Sequence, residues 1–303
     1  MFDYDDEFYL QPRTLRHPDR KSLSELDSPF IYVYHDRGGH LPYDCPFEDY
    51  EDMRAFFDTH RDRRSLRRMY EQSVGDSGRR FVELLDELRD RGKLEDTLVV
   101  YVSDHGELLG EYGNLFTHAV PMVPELVEIP MVFTGAGLPR DKQYDALLSG
   151  IDLAPTVLGA LEQTIPNEAD GTDLWNERPD EDRLVRSEVW KQTQYEYLQS
   201  YVAGSVWDQD GGYVCHRESR LHRLVYSLGV HLAKGPHAPL ARTLSPKNYY
   251  RLLHAHLPAT LEYGTPNFNA DEARQVLPPF ERAPNRVKNE TDRERLRSLG
   301  YLE

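Results

Sequence analysis

Residues 97–107 read Thr-Leu-Val-Val-Tyr-Val-Ser-Asp-His-Gly-Glu, an apolar run that stops at an aspartate–histidine pair. Leu98, Val99, Val100, Tyr101 and Val102 are apolar without alternation, which predicts a strand of a parallel sheet covered by helices on both faces. In such sheets the chemistry sits beyond the carboxyl ends of the strands, where Asp104 and His105 fall. A carboxylate oxygen beside an imidazole nitrogen is suited to holding a divalent cation, and Gly106 gives the backbone room to turn beneath it. The competing reading is a helix N-terminus, capped by Ser103 or Asp104 with Glu107 in its first turn. Spacing alone does not choose between the two.

Around this segment the chain reads as strand, helix, strand. Residues 29–35 form the first convincing strand, followed by a long polar helical region from about Asp49 to Arg91. Leu66, Met69, Tyr70, Val74, Phe81, Leu84, Leu85 and Leu88 recur at helical spacing, and Gly92 marks the stop. This order predicts a right-handed parallel crossover into the strand at 97–103. A further strand at 129–134 ends in Gly135-Ala136-Gly137, and Asp152 to Leu161 forms a short helix with Pro155 in its first turn. Beyond residue 175, Val185–Trp190, Tyr201–Trp207 and Tyr213–His216 read as strands of a small antiparallel sheet, with Asp208–Gly212 as a turn. Ser219–Lys234 and Pro246–Leu257 are amphipathic helices. Their neighbourhood carries His222, His231, His237, His254 and His256, whose irregular spacing favours solvated helix-face histidines over a metal cluster. Leu277–Pro284 is an extended connector before a last helix capped near Asn289. The expected architecture is α/β: a core over residues 1–175 and a small α+β subdomain over 176–303.

Composition narrows the function classes. Acidic residues number 52 against 36 basic ones, giving a net charge of −16, and 29 of the basic residues are arginine while seven are lysine. Such a balance argues against a nucleic-acid binder, whose affinity rests on neutralising phosphates. Scarce lysine with abundant Asp and Glu suits a salt-rich cytoplasm that screens self-repulsion. Cys45 and Cys215 stand far apart without metal spacing. No apolar run approaches about 18 residues and no basic-apolar leader opens the sequence, so a soluble, cytoplasmic chain is expected, with no membrane partner.

Several segments are similar, in order, to those of the sulfatase family within the alkaline phosphatase superfamily. They are Pro29-Phe30-Ile31-Tyr32-Val33-Tyr34-His35 with Gly39-His40-Leu41-Pro42-Tyr43; Ser103-Asp104-His105-Gly106-Glu107; Pro124-Glu125-Leu126-Val127-Glu128-Ile129-Pro130; and Asp152-Leu153-Ala154-Pro155-Thr156 with Asp170-Gly171-Thr172-Asp173-Leu174. The chain closes on Leu299-Gly300-Tyr301-Leu302, as many family tails do. The resemblance implies a partial alkaline-phosphatase-like sheet with flanking helices. It also implies a divalent metal, calcium or magnesium or manganese, on Asp104 and His105, and a sulfate or phosphate ester substrate. By the same resemblance His118 is a substrate-binding residue or general acid, and His40 a contact to the ester oxygens. An imidazole near its ordinary pKa can donate a proton to a leaving oxygen. Arg37 adds a planar fork able to grip a tetrahedral anion.

One departure from the family pattern shapes the functional expectation. The family's amino-terminal acidic strand and its Cys/Ser/Thr-x-Pro-Ser nucleophile are not seen: Cys45-Pro46-Phe47-Glu48 and Ser245-Pro246-Lys247 both fail that pattern. Ester hydrolysis needs a nucleophile, a polarising cation and groups on the non-bridging oxygens, of which this chain offers the last two. A hard cation takes about six to eight ligands, so two protein ligands hold it weakly. The expectation is a sulfatase-like hydrolase carrying part of an active site, completed by a complementing amino-terminal polypeptide. The alternative is a non-catalytic truncated relative or partner-binding fragment.

Overall fold

The computed structural model describes residues 22–41, 43, 55, 56, 59–117, 122–139, 143–192, 200–232 and 245–278. Helix α1 (Arg63–Asp90) starts after Asp62, which stays extended and whose carboxylate accepts from the amides of Arg64 and Ser65; ahead of it residues 55, 56 and 59 are helical, and the rest of the expected helical stretch from Asp49 to residue 58 lies outside the described residues. Its stop is the anticipated one: Gly92 lies at φ +63 and its amide returns to the Arg89 carbonyl. The apolar stripe serves two clusters. Phe81, Leu84, Leu85 and Leu88 pack with Leu94 and Val99, whereas Leu66, Met69 and Tyr70 pack with Leu41, Tyr43, Phe56 and Phe116. Burial of Leu66 and Leu88 contributes about 2 kcal/mol each. Between the clusters the helix buries two small polar residues, Ser73 and Ser77.

Strand β1 (Leu98–Val102) forms where the apolar run predicts it, and the chain leaves it in a turn without helical geometry, which removes the reading of Ser103–Glu107 as a helix start. Short strands β2 (Leu108–Leu109) and β3 (Phe116–Thr117) pair with each other, and β4 (Met131–Gly135) returns beside β1. Here the structure corrects the expected parallel topology: β1 and β4 run antiparallel, Leu98 opposite Gly135 and Val102 opposite Met131. The excursion between them folds back on itself through the β2–β3 pair and one helical turn at Pro124–Val127, so the chain returns from the same end of the sheet it left.

The first expected strand is also corrected. Residues 30–37 join no ladder among the described residues, and Ile31 and Val33 are 88% and 85% exposed. Tyr32 alone packs toward the Leu88–Val99 cluster. Val102 and Val132 are likewise exposed, so β1 and β4 are not covered on both faces.

Helix α2 (Leu153–Ala160) carries Pro155 in its first turn as anticipated. The Asp-Leu-x-Pro-Thr motif at its start is structural. Asp152, wholly buried, accepts from the amides of Ser149 and Thr172 and takes both Arg183 nitrogens at 2.7 and 2.8 Å. Thr156 Oγ1 donates to the Asp152 carbonyl and accepts from the Leu174 amide.

The second half contains an antiparallel sheet of β5 (Val185–Gln192), β6 (Ser200–Trp207), β7 (Gly211–His216) and β8 (Thr260–Gly264), in that order. Three of these strands were expected. The tight turn before β7 is held by Asp208, which accepts from the Asp210 and Gly211 amides. Helices α3 (Arg220–Leu232) and α4 (Pro246–His256) match the two amphipathic stretches, while β8 and α5 (Ala270–Val276) were not anticipated. Asn269 and Glu272 form a capping box that could have announced α5.

His256 is not a solvated helix-face residue: it is buried, with its Nδ1 on the Leu252 carbonyl, while His254 is exposed. The reason is its place on the inner face of α4, where the neighbouring His216 ring bonds the Ala255 carbonyl. The side chains of His231 and His237, the far part of the Leu277–Pro284 stretch, and Asn289 lie outside the described residues. Helix α4 sends Leu252 into a cluster with Leu108, Leu115, Val123 and Leu126, and so rests against the excursion that follows Asp104 and His105. The whole is an α/β arrangement of helices and antiparallel sheets. Among the described residues no helix is long and apolar enough to cross a membrane.

Candidate active site

The turn after β1 is shaped by close backbone approach. Gly106 sits so near the Pro124–Val127 turn that a Cβ would fall 2.1 Å from the Glu125 carbonyl oxygen, and its amide donates to the Leu126 carbonyl at 2.9 Å. Ser103 Oγ donates to the His105 carbonyl, and the His105 amide donates to Asp104 Oδ1. These bonds leave Asp104 exposed and His105 half-buried, with Asp104 Oδ2 and His105 Nε2 3.7 Å apart. His105 Nδ1 lies 2.8 Å from the Gly106 carbonyl. A carbonyl only accepts, so Nδ1 carries the proton and the lone pair is on Nε2, the tautomer a metal-binding imidazole needs. The spacing and tautomer fit a cation bound to one oxygen and one nitrogen. Among the described residues no third carboxylate, imidazole or thiolate completes a metal-binding group.

A second loop meets this turn. Arg37 and His40 lie on residues 36–43, pinned to α1: the Gly39 amide donates to Ser73 Oγ at 2.8 Å, and a Cβ on Gly38 would fall 2.4 Å from the Ser77 Cβ. Gly39, at φ +84, passes against Tyr70 and Val74. At the far end Tyr43, itself at φ +58, donates its hydroxyl to Glu107 at 3.1 Å and so ties the His40 loop to the Asp104–His105 turn.

Desolvation lowers the His40 pKa. The hydrogen bond to Leu41 opposes this, the charges of Arg37 and His105 add to it, and that of Asp104 opposes it. The His40 Nδ1 bonds the Leu41 carbonyl at 2.6 Å, which leaves the lone pair of the neutral ring on Nε2. Burial lowers the Arg37 pKa, and its Nη1 is buried without a hydrogen-bond partner. An orphaned guanidinium nitrogen is costly unless an anion meets it.

The Tyr43–Glu107 hydrogen bond thus joins the loop of Arg37 and His40 to the turn of Asp104 and His105; His118 lies outside the described residues. Glu107 and Tyr43 were missed as parts of the site. Burial pushes the Glu107 carboxyl up to about 8, against the opposing Tyr43 hydrogen bond, and burial likewise raises the Tyr43 phenol. A carboxylate directly before the apolar pair Leu108-Leu109 was the signal available in the sequence.

The Sulfatase family profile matches residues 10–163, half of the chain. The chain belongs to the sulfatase family. A relative from Haloferax volcanii, the low-salt glycan biosynthesis sulfotransferase Agl7, is 43% identical over 236 residues, which cover 76% of this chain and 58% of that protein. The endo-4-O-sulfatase of Bacteroides thetaiotaomicron is 29% identical over 169 residues, 50% of this chain and 33% of that one. The chain therefore spans little more than half the length of the first relative and a third of the second. Among solved structures, the 2-O GAG sulfatase BT1596 overlaps 52% of this chain and 35% of its own at a TM-score of 0.45 and 22% identity.

Proposed function

We propose that this sulfatase-family chain carries the cation-holding and anion-gripping part of a site acting on sulfate esters, or on phosphate esters of the same tetrahedral shape. The supporting observation is the meeting of two loops distant in sequence. One presents Asp104 and His105 with the His105 lone pair on Nε2, and the other presents Arg37 with a buried, unpartnered nitrogen beside His40. Asp104 and His105 would hold a divalent cation, calcium or magnesium or manganese, which when bound polarises the ester oxygen as a Lewis acid. Arg37 offers N–H donors to the non-bridging oxygens, and His40, neutral with its lone pair on Nε2, accepts a proton better than it donates one. His118 is assigned to the leaving oxygen by family position. The remaining cation ligands and the nucleophile lie beyond the residues described, and a complementing polypeptide is one source of both.

A second reading is favoured by the name of the Haloferax relative: transfer of the sulfuryl group to a sugar hydroxyl in place of water. Both readings break the same S–O bond and differ in the acceptor. The test is turnover of 4-nitrophenyl sulfate and 4-nitrophenyl phosphate with calcium, magnesium or manganese, with and without a sugar acceptor, for wild type and Asp104→Ala. Metal-dependent product release lost in Asp104→Ala supports ester chemistry, and sulfated sugar among the products selects transfer. Turnover equal in both proteins overturns the assignment of Asp104. Absence of turnover together with absence of cation binding leaves the non-catalytic relative as the correct reading.

A further inference from the structure

Arg37 is preceded in the chain by a carboxylate, Asp36, yet Arg37 Nη1 is buried without a partner. Asp36 is otherwise engaged. Arg80, from the middle of α1, donates through Nε to Asp36 Oδ2 at 2.6 Å and through Nη2 to Oδ1 at 2.7 Å, and the Gly38 amide adds a third bond to Oδ1 at 2.7 Å. The pair is largely shielded, with side-chain exposures of 27% and 17%. A bidentate guanidinium–carboxylate pair of this geometry is the strongest claim another cation can make on that carboxylate.

We propose that Arg80 is a positioning residue that sequesters Asp36 and thereby keeps Arg37 available to an anionic tetrahedral group. The inference rests on the reading of Arg37 as an anion contact and extends it to Arg80 on α1, 44 positions from Asp36. Arg80 does not touch the anion. Without it, Asp36 turns to Arg37 as an internal competitor, which occupies the donors and cancels the charge that attracts substrate.

The experiment is calorimetric titration of the full chain with inorganic sulfate in low-chloride buffer, for wild type, Arg37→Ala, Arg80→Met and the Arg80→Met/Asp36→Asn pair. Arg80→Met should weaken sulfate binding by about tenfold, and the added Asp36→Asn should restore most of it, since the competing charge is gone. A purely structural role for Arg80 predicts no rescue, because the double variant lacks the same loop clamp. If Arg80→Met does not unfold cooperatively, Arg80→Lys carries the test: an ammonium cannot hold both oxygens, so binding should weaken and again recover with Asp36→Asn. Binding that depends on Arg37 but is unaffected at Arg80, or a loss that Asp36→Asn does not reverse, overturns the proposal alone. Sulfate binding that is absent in wild type or unchanged in Arg37→Ala overturns the anion-contact reading and the proposal with it.

Discussion

Two imidazoles in the site are oriented the same way, each giving its Nδ1 proton to a backbone carbonyl, and this shared detail decides what each can do. For His105 it leaves a nitrogen lone pair 3.7 Å from Asp104 Oδ2. Alanine at either position should weaken Mn²⁺ binding at least about tenfold, read by titration calorimetry, since each removes one of the two proposed ligands. Equal affinity in wild type and Asp104→Ala would place the cation elsewhere. A different histidine governs acid stability. Burial drives the His216 pKa from its ordinary 6.5 to about 3, so the folded chain keeps this ring neutral where the unfolded chain would protonate it. Its contribution is therefore complete above pH 6.5 and is lost as pH falls toward 3. Urea midpoints of wild type should drop between neutral pH and pH 4 more steeply than those of His216→Gln, and parallel curves would exclude the mechanism. Neither burial was legible in the sequence. His216 and His256 are enclosed where the end of β7 meets the end of α4, a contact that spans 39 residues of sequence.

At the scale of elements, the site is built where two turns touch secondary structure too closely for a side chain. Replacing Gly106 by alanine drives a Cβ into the Glu125 carbonyl, with backbone on both sides, and should cost about 3 kcal/mol or more in chemical denaturation. A cost under about 1 kcal/mol would mean the turn can move away from Glu125. Asp152→Ala leaves the Arg183 guanidinium without its bidentate partner in a buried setting, and a loss of about 3–5 kcal/mol is expected in the same measurement. Helix α1 illustrates how an element can be foreseen while its role is not. Its apolar spacing and its Gly92 stop are local and readable. Ser73, Ser77 and Arg80 look like ordinary polar positions on that helix, yet they seat the loop that carries Arg37 and His40. The connection between strands was misjudged for a related reason. An unbroken apolar run reports burial, and burial does not specify the direction of the neighbouring strand.

For the molecule as a whole, the net charge of −16 and the 29-to-7 ratio of arginine to lysine set the response to salt. Self-repulsion spread over an acidic surface is screened as ionic strength rises, so the unfolding temperature should climb as KCl is raised from about 0.1 M into the molar range. A flat or falling response would show that the charge is an ordinary acidic surplus with no adaptation to salt. Composition of this kind is visible without any fold. So are the Asp104–His105 pair at the end of β1, the course of α1, the β6–β7 hairpin and the helix at Leu153–Ala160, because each depends on spacing, caps and turn residues within one short stretch. The antiparallel pairing of β1 with β4, the exposure of Ile31 and Val33, the burial of His256 and the hold of Arg80 on Asp36 belong to tertiary structure alone. Each joins or separates residues far apart in the chain, and such contacts are decided by which surfaces finally pack together, a competition that leaves no periodic trace in the order of amino acids.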